Sequence, residues 1–257
     1  NYGRSYRGPV RLKLALTKSI NTVPVRLSQA IGREKIIETA YAMGLTHELE
    51  NVVTLPIGSS EVTAIDMAGS YATFANGGYK ATPFAVQEIR NTKGDVLYNR
   101  IHDEATAKRV LPADKVAEMN EILVNVVQAG TGRRAQIEGV VAAGKTGTTS
   151  AYRDAWFVGY TGNFSAAVWY GNDNFGPTRR VTGGSLPAMT WQRFMAYAHK
   201  NVELVPMPGV DATTLKGTPI ARAEDDDDTA PQPRILKRQT LELLKNIGTA
   251  MDAIRPV

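Results

Sequence analysis

The chain has 257 residues, 43% of them hydrophobic, with a formal charge of +5 and no cysteine. That is enough apolar material for a real core, and the absence of thiols excludes disulfides, thiol catalysis and cysteine-bound metal. The basic excess is scattered, with no arginine or lysine stripe interleaved with aromatics, which argues against a nucleic-acid groove.

From the N-terminus, "NYGRSYRGPV" carries no apolar signal core, and no run approaches the eighteen or so apolar residues of a membrane span. His47, His102 and His199 are far apart, so neither histidine chemistry nor a metal or other cofactor is expected. In "RLKLALTKSINTVPVRLSQAIG", Leu12, Leu14 and Leu16 alternate with Arg11, Lys13 and Ala15, a strand-like pattern when taken alone. Asn21 then suits a helix cap, Pro24 a first turn and Gly32 a stop. "REKIIETAYAMG" places Ile36, Ile37, Ala40 and Tyr41 on one helical face, with Gly44 closing it.

Thr63 and Asp66 form a capping-box pattern ahead of "AIDMAGSYATFANGG", a helix ending at Gly77-Gly78. "FAVQEIRNTKGDVLYNR" alternates about Lys93-Gly94-Asp95 and predicts a hairpin. "PADKVAEMNEILVNVVQAG" repeats Val116, Met119, Ile122, Leu123 and Val126 at helical spacing. Three strands are expected in "VVAAGKTGTT", "AWFVGYT" and "SAAVWYGND"; their short connections favour antiparallel pairing. A last helix, around "PAMTWQRFMAYAHK", would cover one face of the sheet. The expected fold is therefore α+β, an antiparallel sheet flanked by helices.

After residue 205 the composition turns to Pro, Thr, Ala and acid, which reads as a linker over 206–233. Residues 234–257 carry Leu236, Leu243, Leu244, Ile247, Met251 and Ile254 near helical spacing, an amphipathic helix suited to docking on the body or on a partner.

Two constellations bear chemistry. Lys145-Thr146-Gly147 lies in a strand of small residues, so a fixed cation stands where another backbone or an anionic ligand can approach. Thr146 and Thr148 would offer hydroxyls to a carboxylate, Gly147 would leave room for a ligand backbone, and the Thr148 amide would face a developing oxyanion. A lysine guarding a strand edge explains the triplet equally simply. Ser19-Ile20-Asn21 is the second, and a helix cap alone would account for Asn21.

Ser-x-Asn followed by Lys-Thr-Gly is, with Ser-x-x-Lys, the motif set of class A β-lactamases and penicillin-binding proteins. Five ordered blocks extend the match: "YRGPVRLKLALTKSINTVPVRL", "LPIGSSEVTAIDMAGSYATFANGG", "AGTGRRA", "AGKTGTT" and "RDAWFVGYT". From about Tyr2 to Val210 the chain resembles the C-terminal transpeptidase domain of class A (bifunctional) penicillin-binding proteins, and residues 1–205 are read as a partial domain of that kind. That resemblance implies a β-lactamase/transpeptidase-like fold with an all-helical subdomain, incomplete at the N-terminus, and a helix before Ser19 in place of the strand. It also implies transfer of an acyl group from the D-alanyl-D-alanine end of a peptidoglycan stem peptide to a neighbouring amine.

On the same ground Ser19 would belong to the proton relay and Asn21 would bind the donor amide. Lys145 would keep the serine–lysine dyad correctly protonated and attract the carboxylate. Thr146, Gly147 and Thr148 would bind substrate. The implied ligands are stem peptides and β-lactams, with a further cell-wall protein as candidate partner of the C-terminal helix. The implied location is periplasmic, in a parent protein held in the inner membrane by an upstream anchor and carrying a glycosyltransferase domain.

One element of the pattern is missing. No serine is followed by lysine three residues on, so the nucleophile is expected upstream of Asn1, and the chain alone is expected to be inactive and marginal in stability. The competing readings are a serine β-lactamase-like hydrolase, against which the "GSSEVT" block speaks, and a non-catalytic cell-wall binding or scaffold module.

Overall fold

The computed structural model describes residues 8–103 and 107–210. The expected helix over 234–257 and most of the expected linker lie outside these residues.

Seven helices and five strands follow in chain order among the described residues: α1 (Leu12–Thr17), α2 (Thr22–Ile31), α3 (Arg33–Ala42), α4 (Ala64–Ala75), β1 (Glu88–Arg90), β2 (Val96–Asn99), α5 (Arg100–Asp103), α6 (Ala113–Ala129), β3 (Ala143–Thr148), β4 (Ala155–Tyr160), β5 (Ser165–Tyr170) and α7 (Leu186–Ala198). The fold is α+β, as expected. β1 and β2 form the hairpin predicted about Gly94, whose φ of 91° supplies the left-handed turn.

The leucine alternation does not make a strand. Leu12 is 57% exposed, while Ala15 and Thr17 are buried. Six residues are too few for the period to decide, and Leu, Lys and Ala are all good helix formers. α1 is fastened to α6 by the Lys13–Glu121 ion pair and by Asn125 Nδ2 donating to Thr17 Oγ1 at 2.8 Å. Asn21 is a second correction. It precedes α2 but already has helical angles (φ −58°, ψ −31°), and its side chain makes no capping bond. The chain turns earlier, with Ile20 N–H donating to Ala15 O at 2.8 Å, so Asn21 lacks the extended backbone from which a cap reaches back.

The capping role of Thr63 holds, since its hydroxyl accepts from Asp66 N–H at 3.2 Å. The Asp66 carboxylate turns to the α3–α4 connection, accepting from Thr46 Oγ1 at 2.7 Å and pairing with His47 Nδ1 at 3.1 Å. Desolvation, the largest single effect, pushes its pKa up, but these bonds outweigh it and hold the carboxyl below the usual carboxylate range.

β3, β4 and β5 form an antiparallel sheet in that order. The register pairs Gly144 with Gly159, Lys145 with Val158 and Thr146 with Phe157. Paired residues share a face, so Gly144, Thr146, Phe157 and Gly159 lie on one side and Ala143, Lys145, Val158 and Tyr160 on the other. On the first face Phe157 meets Trp191 of α7 edge-on, ring centres 5.2 Å apart, beside Ala188 and Met195. The glycine pair makes that contact possible: a Cβ on Gly144 would lie 2.7 Å from the Phe157 ring, and one on Gly159 2.9 Å from Trp191. On the second face Tyr160 packs with Leu123, Val126 and Met207.

The packed body reaches past residue 205, five residues beyond the expected linker boundary. Met207 is buried, Asn120 Nδ2 donates to Pro208 O at 2.8 Å, and Asn163 Nδ2 donates to Glu203 O at 2.8 Å. Proline-rich composition concealed a strap that turns at Pro208 and Gly209 and sets Met207 and Val210 against the α6 core.

Candidate active site

The sheet register puts Lys145 on the α6 side, and α6 carries α1. These two facts bring together residues 126 apart in sequence: Lys145 Nζ donates to Ser19 Oγ at 2.8 Å. The same ammonium donates to Thr146 O at 3.0 Å. The side chain is half-buried, and loss of hydration pushes its pKa down to about 8.

Ser19 occupies the turn between α1 and α2 with φ 54°, a left-handed conformation that costs a non-glycine residue about 1 kcal/mol. The turn is fixed by Ser19 N–H donating to Leu16 O at 3.1 Å. Asn21 follows at the surface, beside Thr22, Val25, Arg26 and Gln29, which line a shallow depression.

Thr146 and Thr148 project from the opposite face to Lys145, so the cation and the two hydroxyls flank the outer edge of β3 from its two sides. Thr146 Oγ1 lies 2.7 Å from Thr131 Oγ1. Thr148 Oγ1 accepts from Gly183 N–H at 3.0 Å. At Gly147 the close neighbour is the chain's own Gly183, where a Cβ would sit 2.8 Å from Gly147 N. Sequence reasoning singled out Ser19, Asn21, Lys145, Thr146, Gly147 and Thr148. It quoted Thr131 within the block "AGTGRRA" but gave it no role, and it passed over Gly183 and Gly184, whose signal, "TGGS", was a short glycine-bearing run.

A half-buried cation on a serine hydroxyl, beside a strand edge bearing two threonine hydroxyls, can bind a carboxylate and pass a proton near it. Among the described residues no helix is long and apolar enough to cross a membrane.

Comparison with known proteins gives the family. The family model described as the penicillin binding protein transpeptidase domain matches residues 1–175. The chain is 30% identical to penicillin-binding protein 1A of Pseudomonas aeruginosa, covering 90% of this chain and 36% of that protein. It is 34% identical to penicillin-binding protein 1A of Aquifex aeolicus, covering 80% and 29%. It thus spans about a third of the length of these curated relatives. Among solved structures, PonA1 of Mycobacterium tuberculosis in complex with penicillin V superposes with a TM-score of 0.72 at 26% identity, covering 81% of this chain and 61% of that one. Penicillin-binding protein 1A of Haemophilus influenzae, at 23% identity and a TM-score of 0.69, shares the fold. The chain belongs to the penicillin-binding protein transpeptidase domain family, with the 1A and 1B proteins as relatives.

Proposed function

We propose that this chain forms most of the D,D-transpeptidase site of a class A penicillin-binding protein. That site cross-links peptidoglycan by acyl transfer from D-alanyl-D-alanine and takes β-lactams in place of the donor. The observation that carries the reading is the 2.8 Å contact between Lys145 and Ser19, because it joins the two motifs into one proton-conducting pair. In this reading Ser19 relays the proton of a nucleophilic serine supplied by an upstream Ser-x-x-Lys segment. Asn21 holds the donor's amide, Lys145 supplies the positive field, Thr146 and Thr148 anchor the terminal carboxylate, and the Thr148 N–H stabilises the oxyanion. The parent protein works on the periplasmic side.

Fluorescent penicillin tests this directly. The full-length protein is expected to label and to lose at least about a hundredfold in acylation rate with Lys145→Met, the scale for removing one electrostatic stabiliser. The isolated chain of 257 residues, with no Ser-x-x-Lys, is expected to stay unlabelled. Labelling of the isolated chain, or unchanged labelling of the Lys145 variant, would overturn the reading.

A further inference from the structure

Thr131 sits in a loop with almost no freedom. Upstream, Lys18 Nζ donates to Ala129 O at 2.6 Å, and Gly130 N–H and Gly132 N–H both donate to Val126 O at 3.1 Å. Thr131 N–H itself donates to Thr17 O at 3.3 Å, at the end of α1 just before the Ser19 turn. Neighbouring backbone closes in on both sides: a Cβ on Gly130 would lie 2.7 Å from Val126 O, and one on Gly184 2.5 Å from Thr131 O. The loop therefore fixes the backbone from which the Thr131 hydroxyl reaches Thr146 Oγ1 at 2.7 Å.

That contact has a direction once an anion is bound. Each threonine hydroxyl carries one proton, and a carboxylate only accepts. Thr146 can donate to a carboxylate only if the proton in the Thr131–Thr146 bond comes from Thr131. Thr148 has the same arrangement, because its oxygen accepts the Gly183 N–H and its proton is left over. With Thr131 as the donor, both hydroxyls on the edge of β3 have an oxygen filled by the chain itself, and both protons remain for a ligand.

We infer that Thr131 is the positioning residue for carboxylate capture: it donates to Thr146, turns the Thr146 proton outward and polarises it. The inference rests on the reading of Thr146 as a carboxylate anchor. A chain of two hydroxyls ending on an anion is stronger than a single hydroxyl, because each bond polarises the next.

The test uses the full-length protein with Thr131→Val, nearly isosteric but without the hydroxyl, and Thr131→Ser, which keeps it. Acylation is measured with benzylpenicillin and with its neutral methyl ester. Thr131→Val is expected to slow benzylpenicillin about tenfold, the scale of one hydrogen bond to a charged group, and to leave the ester's rate unchanged. Thr131→Ser is expected to restore the benzylpenicillin rate. Equal losses with both probes, no loss with either, or failure of serine to rescue overturns the inference while leaving the transpeptidase reading intact. A wild-type protein that neither probe acylates overturns both.

Discussion

At Lys145 the price of burial is visible in a single side chain, because the fold removes water from an ammonium and gives it only Ser19 and a carbonyl in return. Its pKa falls from 10.5 to about 8. The unfolded chain therefore holds this proton more tightly than the folded one between those values. This group's contribution opposes folding fully below pH 8, and the penalty is relieved as pH rises toward 10.5. Function has the opposite slope, since an uncharged amine no longer attracts a carboxylate. Acylation of the full-length protein by benzylpenicillin is expected to decline as pH rises through about 8. In Lys145→Arg, whose charge does not titrate there, that alkaline limb is expected to vanish even if the overall rate is lower. A limb that survives the substitution assigns the titration to another group. Ser19 offers a second residue-scale test through its φ of 54°. Ser19→Gly and Ser19→Ala both remove the hydroxyl, but only glycine relaxes the left-handed backbone. The glycine variant is expected to be about 1 kcal/mol more stable than the alanine variant in urea unfolding, with both defective in acylation.

The elements explain how a lysine and a serine so distant in sequence meet. β4 and β5 could be read from the chain because each is a short apolar run bounded by turns, β3 because small residues follow the apolar stretch 140–143, and Lys145 took its face from strict alternation. α6 was equally plain, its long apolar repeat matching Val116, Leu123 and Val126, all buried. α1 was not, since its six residues carry an alternation that means nothing without a neighbouring sheet edge, and its helix was visible only through family resemblance. The failure at Asn21 has a similar cause: whether a polar residue caps depends on backbone angles set one turn earlier. Thr131 was illegible because its partner lies across a tertiary contact, with no periodicity to mark it. The glycine pair at the sheet centre gives a prediction at this scale. In Gly159→Ala the new Cβ would meet Ala143 O and the Phe157 ring, each at 2.8 Å, so backbone as well as side chain must yield. A loss of about 1–3 kcal/mol is expected, read as a lower denaturation midpoint with unchanged m-value. The alanine being tolerated would mean that α7 lifts from the sheet.

For the whole molecule the decisive node is Asn120, which joins three separated parts of the body. Its Nδ2 donates to Phe74 O at 3.2 Å and to Pro208 O at 2.8 Å, and its Oδ1 accepts from Tyr160 OH at 2.5 Å. One fully buried amide thus ties the end of α4, the centre of the sheet and the returning strap to α6, which in turn holds α1 and the Ser19 turn. Burial pushes the Tyr160 hydroxyl well above its ordinary pKa, so it remains a proton donor throughout the working range. Asn120→Leu leaves the Pro208 carbonyl and the Tyr160 phenol without this partner, while Phe74 O keeps the Gly77 N–H at 3.4 Å, at a cost of about 1–3 kcal/mol for each group that water cannot reach. Tyr160→Phe removes only a donor and is expected to cost about 1 kcal/mol, and the double variant less than the sum, because the phenol orphaned by the first change is absent after the second. The site itself need not suffer. At a temperature where the variants remain folded, Asn120→Leu in the full-length protein is expected to acylate at close to the wild-type rate while its melting temperature falls by several degrees. Thr131→Val is expected to do the reverse. Equal loss of acylation in folded Asn120→Leu would show that the node sets the Ser19–Lys145 distance as well as the stability of the body.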